Sequence, residues 1–205
     1  MAEDVLELSA MQLDALKEIG NVGAGNSATA LSQIINRKID MNVPEVAIVP
    51  LGEVPDLVGG PDSMVAGVFL RVYGKAPGSV LFLLPKESAF YLVDTLMGRK
   101  HGSTTNLDFM DESALMEIGN ILAGAYLNAL AHFTKLTLLP SIPALAVDMA
   151  GAILSVVLVQ LGQMGDHALV IETEFLSEDD GIRGHFFLVP DPGSLETILS
   201  AVGVR

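Results

Sequence analysis

Glu18-Ile-Gly-Asn21 and Glu117-Ile-Gly-Asn120 are the same tetrapeptide, set 99 residues apart in a chain of 205 residues. A single recurrence could be chance. The same spacing, however, also relates Ser9 to Asp108, Leu16 to Leu115, Gly25 to Gly124 and Pro44 to Pro143. Further on, Phe82-Leu-Leu-Pro85 corresponds to Phe187-Leu-Val-Pro190 at a spacing of 105. Correspondence on this scale is the mark of a duplicated supersecondary unit.

Working outward from the tetrapeptide, Ser9 with Gln12 and Asp108 with Asp111 are capping-box patterns that predict helix starts. Helices are expected over 10–36 and 109–135. On the first, Leu16, Ile19, Gly20, Gly23, Ser27, Ala30 and Ile34 share one face; on the second, Leu115, Ile118, Gly119, Leu122, Tyr126, Ala129 and Phe133 do. At about 100° per residue, Asp14, Glu18, Asn21 and Gly25 fall roughly opposite that face, as do Ser113, Glu117, Asn120 and Gly124. Asn and Gly each cost a helix interior several tenths to about 1 kcal/mol relative to Ala. Both halves keep them while neighbours such as Lys17 and Met116 differ, so the stripes read as binding or catalytic surface. The glycine closing each stripe would let another molecule approach closely.

The remaining elements repeat in the same order. Strands are expected over 39–49, 64–72 and 79–84, then over 136–147, 168–175 and 184–189, with closing helices over 86–96 and 192–202. Glycine, proline and polar residues at 59–61, 98–105 and 177–180 separate them, and 98–106 reads as the link between halves 1–100 and 101–205. Strand pairs joined by short turns favour an antiparallel or mixed sheet. The expected class is therefore α+β: one domain of two pseudo-symmetric helix–strand–strand–strand–helix halves. The step in spacing from 99 to 105 places about six extra residues between Pro143 and Ala168, where the apolar segment 151–162 lies. That segment, with Val157 near its middle, reads equally as a core helix or as a contact surface for a partner.

Composition narrows the function classes. Half the residues are hydrophobic and there is no cysteine, so a core is available and disulfide or thiolate chemistry is excluded. The formal net charge of −14 repels a phosphate backbone, which argues against nucleic acid. The acidic start lacks a signal-peptide pattern, and no run reaches the eighteen or so unbroken apolar residues of a membrane span, so a soluble cytoplasmic protein is expected. His101, His132, His167 and His185 are scattered without metal-ligand spacing. The segment 20–27 is glycine-rich, but it lies inside a helical pattern, lacks a P-loop lysine, and has Leu122 where the second half answers Gly23. It is not a nucleotide loop.

The pattern Asp/Ser-x3-Glu-x2-Asn-x22-Pro, present as Asp14, Glu18, Asn21, Pro44 and as Ser113, Glu117, Asn120, Pro143, resembles the motif of the CheC/CheX/FliY phosphatase family of chemotaxis. Two complete motifs spanning essentially the whole chain resemble its two-motif, CheC-type branch. The resemblance implies that the substrate is the aspartyl phosphate of the response regulator CheY, with Mg²⁺ held by that partner and no cofactor in this chain. It also implies Asn21 and Asn120 as water-positioning groups, through the acceptor and donor of the amide. Glu18 and Glu117 would anchor a cation of the regulator; an exposed glutamate is a weak general base. Asp14, Ser113, Gly25 and Gly124 could touch the partner, and Pro44 and Pro143 would shape the following strand. The resemblance further implies the receptor deamidase CheD as a partner, with Val157 on its candidate contact. A non-catalytic flagellar-switch adaptor or a regulator of CheD is the alternative, and a monomer is expected because the internal duplication could stand in for a dimer.

Overall fold

The computed structural model describes residues 8–162, 167–177 and 182–203. Both capping boxes form. Ser9 caps α1 (Ala10–Ile35), its backbone N–H donating to Gln12 Oε1 at 2.9 Å. Asp108 caps α3 (Phe109–Thr134) and accepts from the Met110 and Asp111 backbone N–H groups at 2.8 and 3.0 Å. Each helix stops at a residue in the left-handed region, Asn36 at φ 53° and Lys135 at φ 60°.

The two helices pack on each other and on one face of a sheet. Gly23 lies so close to the Tyr126 ring that a Cβ there would sit 2.6 Å away, and one on Gly119 would sit 2.5 Å from Val68. Ser27 Oγ donates to the Leu122 carbonyl at 2.9 Å, tying the helices across their buried faces. The apolar faces differ from the sequence expectation at their ends: Leu31, Ile35, Leu130 and Thr134 are buried, while Ile34 and Phe133 are exposed. Each four-residue step advances about 40° past a full turn. A buried seam followed in fours, as from Ser27 to Leu31 to Ile35, therefore rotates away from Ile34 and Phe133.

The sheet is antiparallel at every described pair, in the order β1 (Ile39–Pro50), β6 (His167–Ser177), β7 (Arg183–Pro190), β3 (Gly78–Pro85) and β2 (Met64–Gly74), which ends on β4 (Leu138–Pro140) and β5 (Ala144–Met149). The first strand of the chain thus pairs with β6 from its far end, and β4 and β5 pair with β2. The expected strand over 136–147 is corrected to two pieces. Pro143 offers no N–H to the ladder, and the chain leaves the sheet at 141–143. Its counterpart Pro44 falls at a register shift in β1 between Asn42 and Glu45, so the same residue type produces a bulge there and a break here.

Central β3 is buried on both faces, which explains its unbroken apolar run. Val80, Phe82 and Leu84 point to the main core with α1, α2 (Lys86–Leu96), α3 and α5 (Ser194–Ala201), whereas Leu81 and Leu83 point to a second core. A 3₁₀ helix at Leu51–Val58, which the sequence reading missed, and α4 (Ala150–Gly162) cover that second core. By length and mean hydropathy α3 could cross a membrane, but half of that window is buried inside the fold.

The link 98–106 is held rather than slack. The Asp94 carboxylate accepts from Ser103 N–H and Oγ and from Thr104 N–H and Oγ1, the last at 2.6 Å. Arg99 donates to Asp111 Oδ2 at 3.0 Å, and its guanidinium lies 2.9 Å from Oδ1 as an ion pair, joining the link to the first turn of α3. Burial pushes the Asp94 carboxyl up, but the hydrogen bonds from Thr104 and Ser103 outweigh it and hold the group below the usual carboxylate range. The hydrogen bond from Arg99 lowers Asp111, against the upward push of burial. Both folded values lie below the unfolded ones. Their stabilisation is therefore present above about pH 4 and lost as pH falls through the folded values. Denaturant midpoints measured from pH 7 to pH 3 should fall in the parent protein, and less steeply in Asp94→Asn and Asp111→Asn, which start lower at pH 7.

Candidate functional site

The polar stripes stand where the helical phase places them. Asp14, Glu18, Asn21 and Gly25 are all exposed on α1; on α3, Ser113 and Glu117 are exposed while Asn120 and Gly124 are half-buried. Each glutamate precedes its asparagine by one turn, about 4.5 Å along the axis. The stripes lie opposite the Ser27–Leu122 tie, so they face outward on separate helices. No described residue lies within 4 Å of where a Cβ would stand on Gly25 or Gly124, so packing does not require glycine at either position.

Among the described residues, neither Glu18 nor Glu117 has an ion pair or hydrogen-bond partner from its side chain. Two carboxylates held outward without partners can take a cation at little rearrangement cost. The asparagines differ. Asn21 Oδ1 accepts a long hydrogen bond of 3.4 Å from the Val43 backbone N–H, whereas Asn120 has no such partner among the described residues. The cause lies in the strand that follows each helix. Val43 stays in β1, but its counterpart Ile142 sits in the break between β4 and β5. Asn120 therefore keeps both ends of its amide open.

The first stripe runs into a cleft of about 730 Å³ lined by Gly25, Thr29, Ser32, Asn36, Arg37 and Asp40, which the sequence reading did not anticipate. Arg37 donates to the Tyr91 hydroxyl at 3.1 Å there, and Lys38 pairs with Asp40 at 2.9 Å. The second half has Leu136 and Thr137 where Arg37 and Lys38 stand, so the basic pair belongs to one stripe only. No group of three or more His, Asp or Glu suited to a metal occurs among the described residues.

The apolar segment 151–162 is the helix α4. Ala150, Ile153 and Leu154 pack into the second core, and Val156 is 63% exposed. Val157 belongs to this helix, but its side chain lies outside the described residues.

The CheC-like family model matches residues 11–48 and 110–146, the segments that hold the two helices and the strands after them. The chain is 44% identical over 196 residues to the CheY-P phosphatase CheC of Bacillus subtilis (strain 168), covering 94% of each chain. It is 31% identical over 123 residues to the flagellar motor switch phosphatase FliY of the same organism, covering 60% of this chain and 32% of that one. Among solved structures, Thermotoga maritima FliY superposes with a TM-score of 0.76 at 22% identity over 97% of this chain and 98% of that one. The FliM middle domain of H. pylori gives 0.70 at 17% identity, covering 95% of this chain and 99% of that one; at such identities these two likenesses establish the fold. With two motif segments matched and nearly the full length aligned at this identity, the chain belongs to the CheC-like family.

Proposed function

We propose that this protein is a phosphatase that hydrolyses the aspartyl phosphate of the chemotaxis response regulator CheY, and that its two Glu–Asn stripes do the work. The observation that carries the reading is the 44% identity, over 94% of both chains, to a CheY-P phosphatase. In the reaction a water oxygen attacks phosphorus and the bond to the aspartate oxygen breaks, leaving inorganic phosphate and a free carboxylate on the regulator. Phosphoryl transfer of this kind depends on positioning and charge stabilisation. Asn21 and Asn120 each offer an acceptor oxygen for a water hydrogen and amide N–H donors beside it. Glu18 and Glu117, one turn away, take a cationic side chain of the regulator and so fix the carboxamide over the phosphoryl group. The Mg²⁺ that neutralises the phosphoryl oxygens belongs to the regulator.

The two halves are read as copies of one unit, with Asp14 and Ser113 at the rim of each contact and the bare Cα of Gly25 and Gly124 letting the regulator's backbone come near. A monomer in the cytoplasm is the expected working form, measurable as a species of 21.6 kDa in solution. Mixing the protein with phosphorylated CheY should accelerate phosphate loss; an unchanged rate would leave a non-catalytic adaptor.

The family resemblance also implies the deamidase CheD as a partner, and α4, the helix that carries Val156 and Val157, is its proposed seat. The exposure of Val156 on a helix anchored by Ile153 and Leu154 favours this. Val157→Asp and Val156→Asp, in protein with an unaltered unfolding midpoint, should each weaken CheD binding at least tenfold; intact binding in both would move the contact elsewhere.

A further inference from the structure

The stripes do not begin at Asp14 and Ser113. Seven residues before each glutamate stands a methionine, Met11 and Met110, in the first turn of α1 and of α3. Seven residues are two turns less about 20°, so each methionine lies on nearly the same azimuth as its glutamate, about 10 Å away along the axis. Met11 is 69% exposed and Met110 61%. Single exposed apolar residues are ordinary. These two share a register on two different helices, each in line with a carboxylate unpartnered among the described residues and with a carboxamide. Beside Met110, Phe109 is 78% exposed; beside Met11 the corresponding residue is the small Ala10. Counting about 100° per residue, Phe109 lies on the asparagine side of its stripe, so the ring and the methionine bracket the line from Glu117 to Asn120.

We propose that Met11 and Met110, the latter with Phe109, are the apolar anchors that seat the phosphorylated regulator on each stripe. The inference rests on the stripes being the phosphatase surface. The occupant is the face of CheY around its phosphoaspartate, which must then present an apolar patch about two helical turns from the cation that meets the glutamate. Continuity carries the argument. A contact made by Glu18 or Glu117 alone, on an exposed surface, is screened by salt. An apolar contact at the other end of the same line is not, and it fixes the direction in which the partner lies. Methionine suits this task because its unbranched side chain adapts to partners arriving at two non-identical stripes, and Met and Phe are enriched at interface centres. The extra ring makes the α3 stripe the tighter of the two.

The test is steady-state hydrolysis of phosphorylated CheY, with direct binding of CheY charged with beryllofluoride as a stable stand-in for the phosphoryl group. The paired substitution Met11→Ser, Met110→Ser should raise KM and the dissociation constant about tenfold, leave kcat within twofold, and leave the unfolding midpoint unchanged. The loss should persist at 0.5 M salt. In the Asn21→Ala background, where only the α3 stripe turns over, Phe109→Ala should raise KM several-fold. Unchanged KM and binding in the folded Met pair would overturn the proposal, whatever the asparagines do. Full turnover in the double asparagine variant would instead overturn the water-positioning reading, so the two failures are separable.

Discussion

Asn21→Ala combined with Asn120→Ala is expected to return phosphate loss from phosphorylated CheY to its unassisted rate, a fall of about 100-fold or more in kcat. In the proposed mechanism alanine removes both the acceptor for the water and the donors beside it, while the neighbouring glutamates stay in place. Binding of beryllofluoride-charged CheY should therefore remain within about threefold of the parent. The single variants should not be equal. Asn21 Oδ1 already shares a lone pair with the Val43 N–H, and Asn120 is open, so Asn120→Ala should remove the larger part of the activity. Full activity in the double variant would leave water positioning to some other group.

The paired substitution Glu18→Gln, Glu117→Gln tests the anchoring role by the opposite kinetic signature. Losing one partner of a charge-assisted contact that is desolvated in a complex costs about 2 kcal/mol or more, roughly 30-fold in affinity. KM should rise by that factor and kcat at saturation should change little, because the carboxamide and the water are untouched. A fall in kcat at unaltered KM would instead make the carboxylates participants in proton transfer. Raising salt should weaken the parent toward the variant, since part of the lost attraction is screened.

Much of the site was legible because it is written in local terms. Ser9 with Gln12 and Asp108 with Asp111 fix the helix starts, and a known start with a 3.6-residue period fixes which side Glu18, Asn21, Glu117 and Asn120 occupy. What the sequence left out depends on partners far along the chain. Pro44 and Pro143 look alike, but one makes a bulge opposite β6 and the other opens the chain between β4 and β5. The unequal freedom of the two asparagines follows from that difference and has no local signal. The 3₁₀ helix at Leu51–Val58 hides in an ordinary apolar stretch with Pro55 inside it. The exposure of Met110 could have been found, since it shares the azimuth of Glu117, but an apolar residue next to a helix start is usually taken for core.

The pairing of β1 with β6 has a consequence for how the molecule comes into being. As the chain leaves the ribosome, β1 is complete at Pro50, yet its neighbour begins only at His167. Synthesis at about 5–20 residues per second leaves that strand without its ladder for several seconds. The edge of β2 waits in the same way for β4 and β5. Such long-range closure is slow and cannot be built half by half. Neither Glu–Asn helix can rest on a finished sheet until nearly all of the protein has been made, so no partly synthesised chain presents the two stripes on a completed fold.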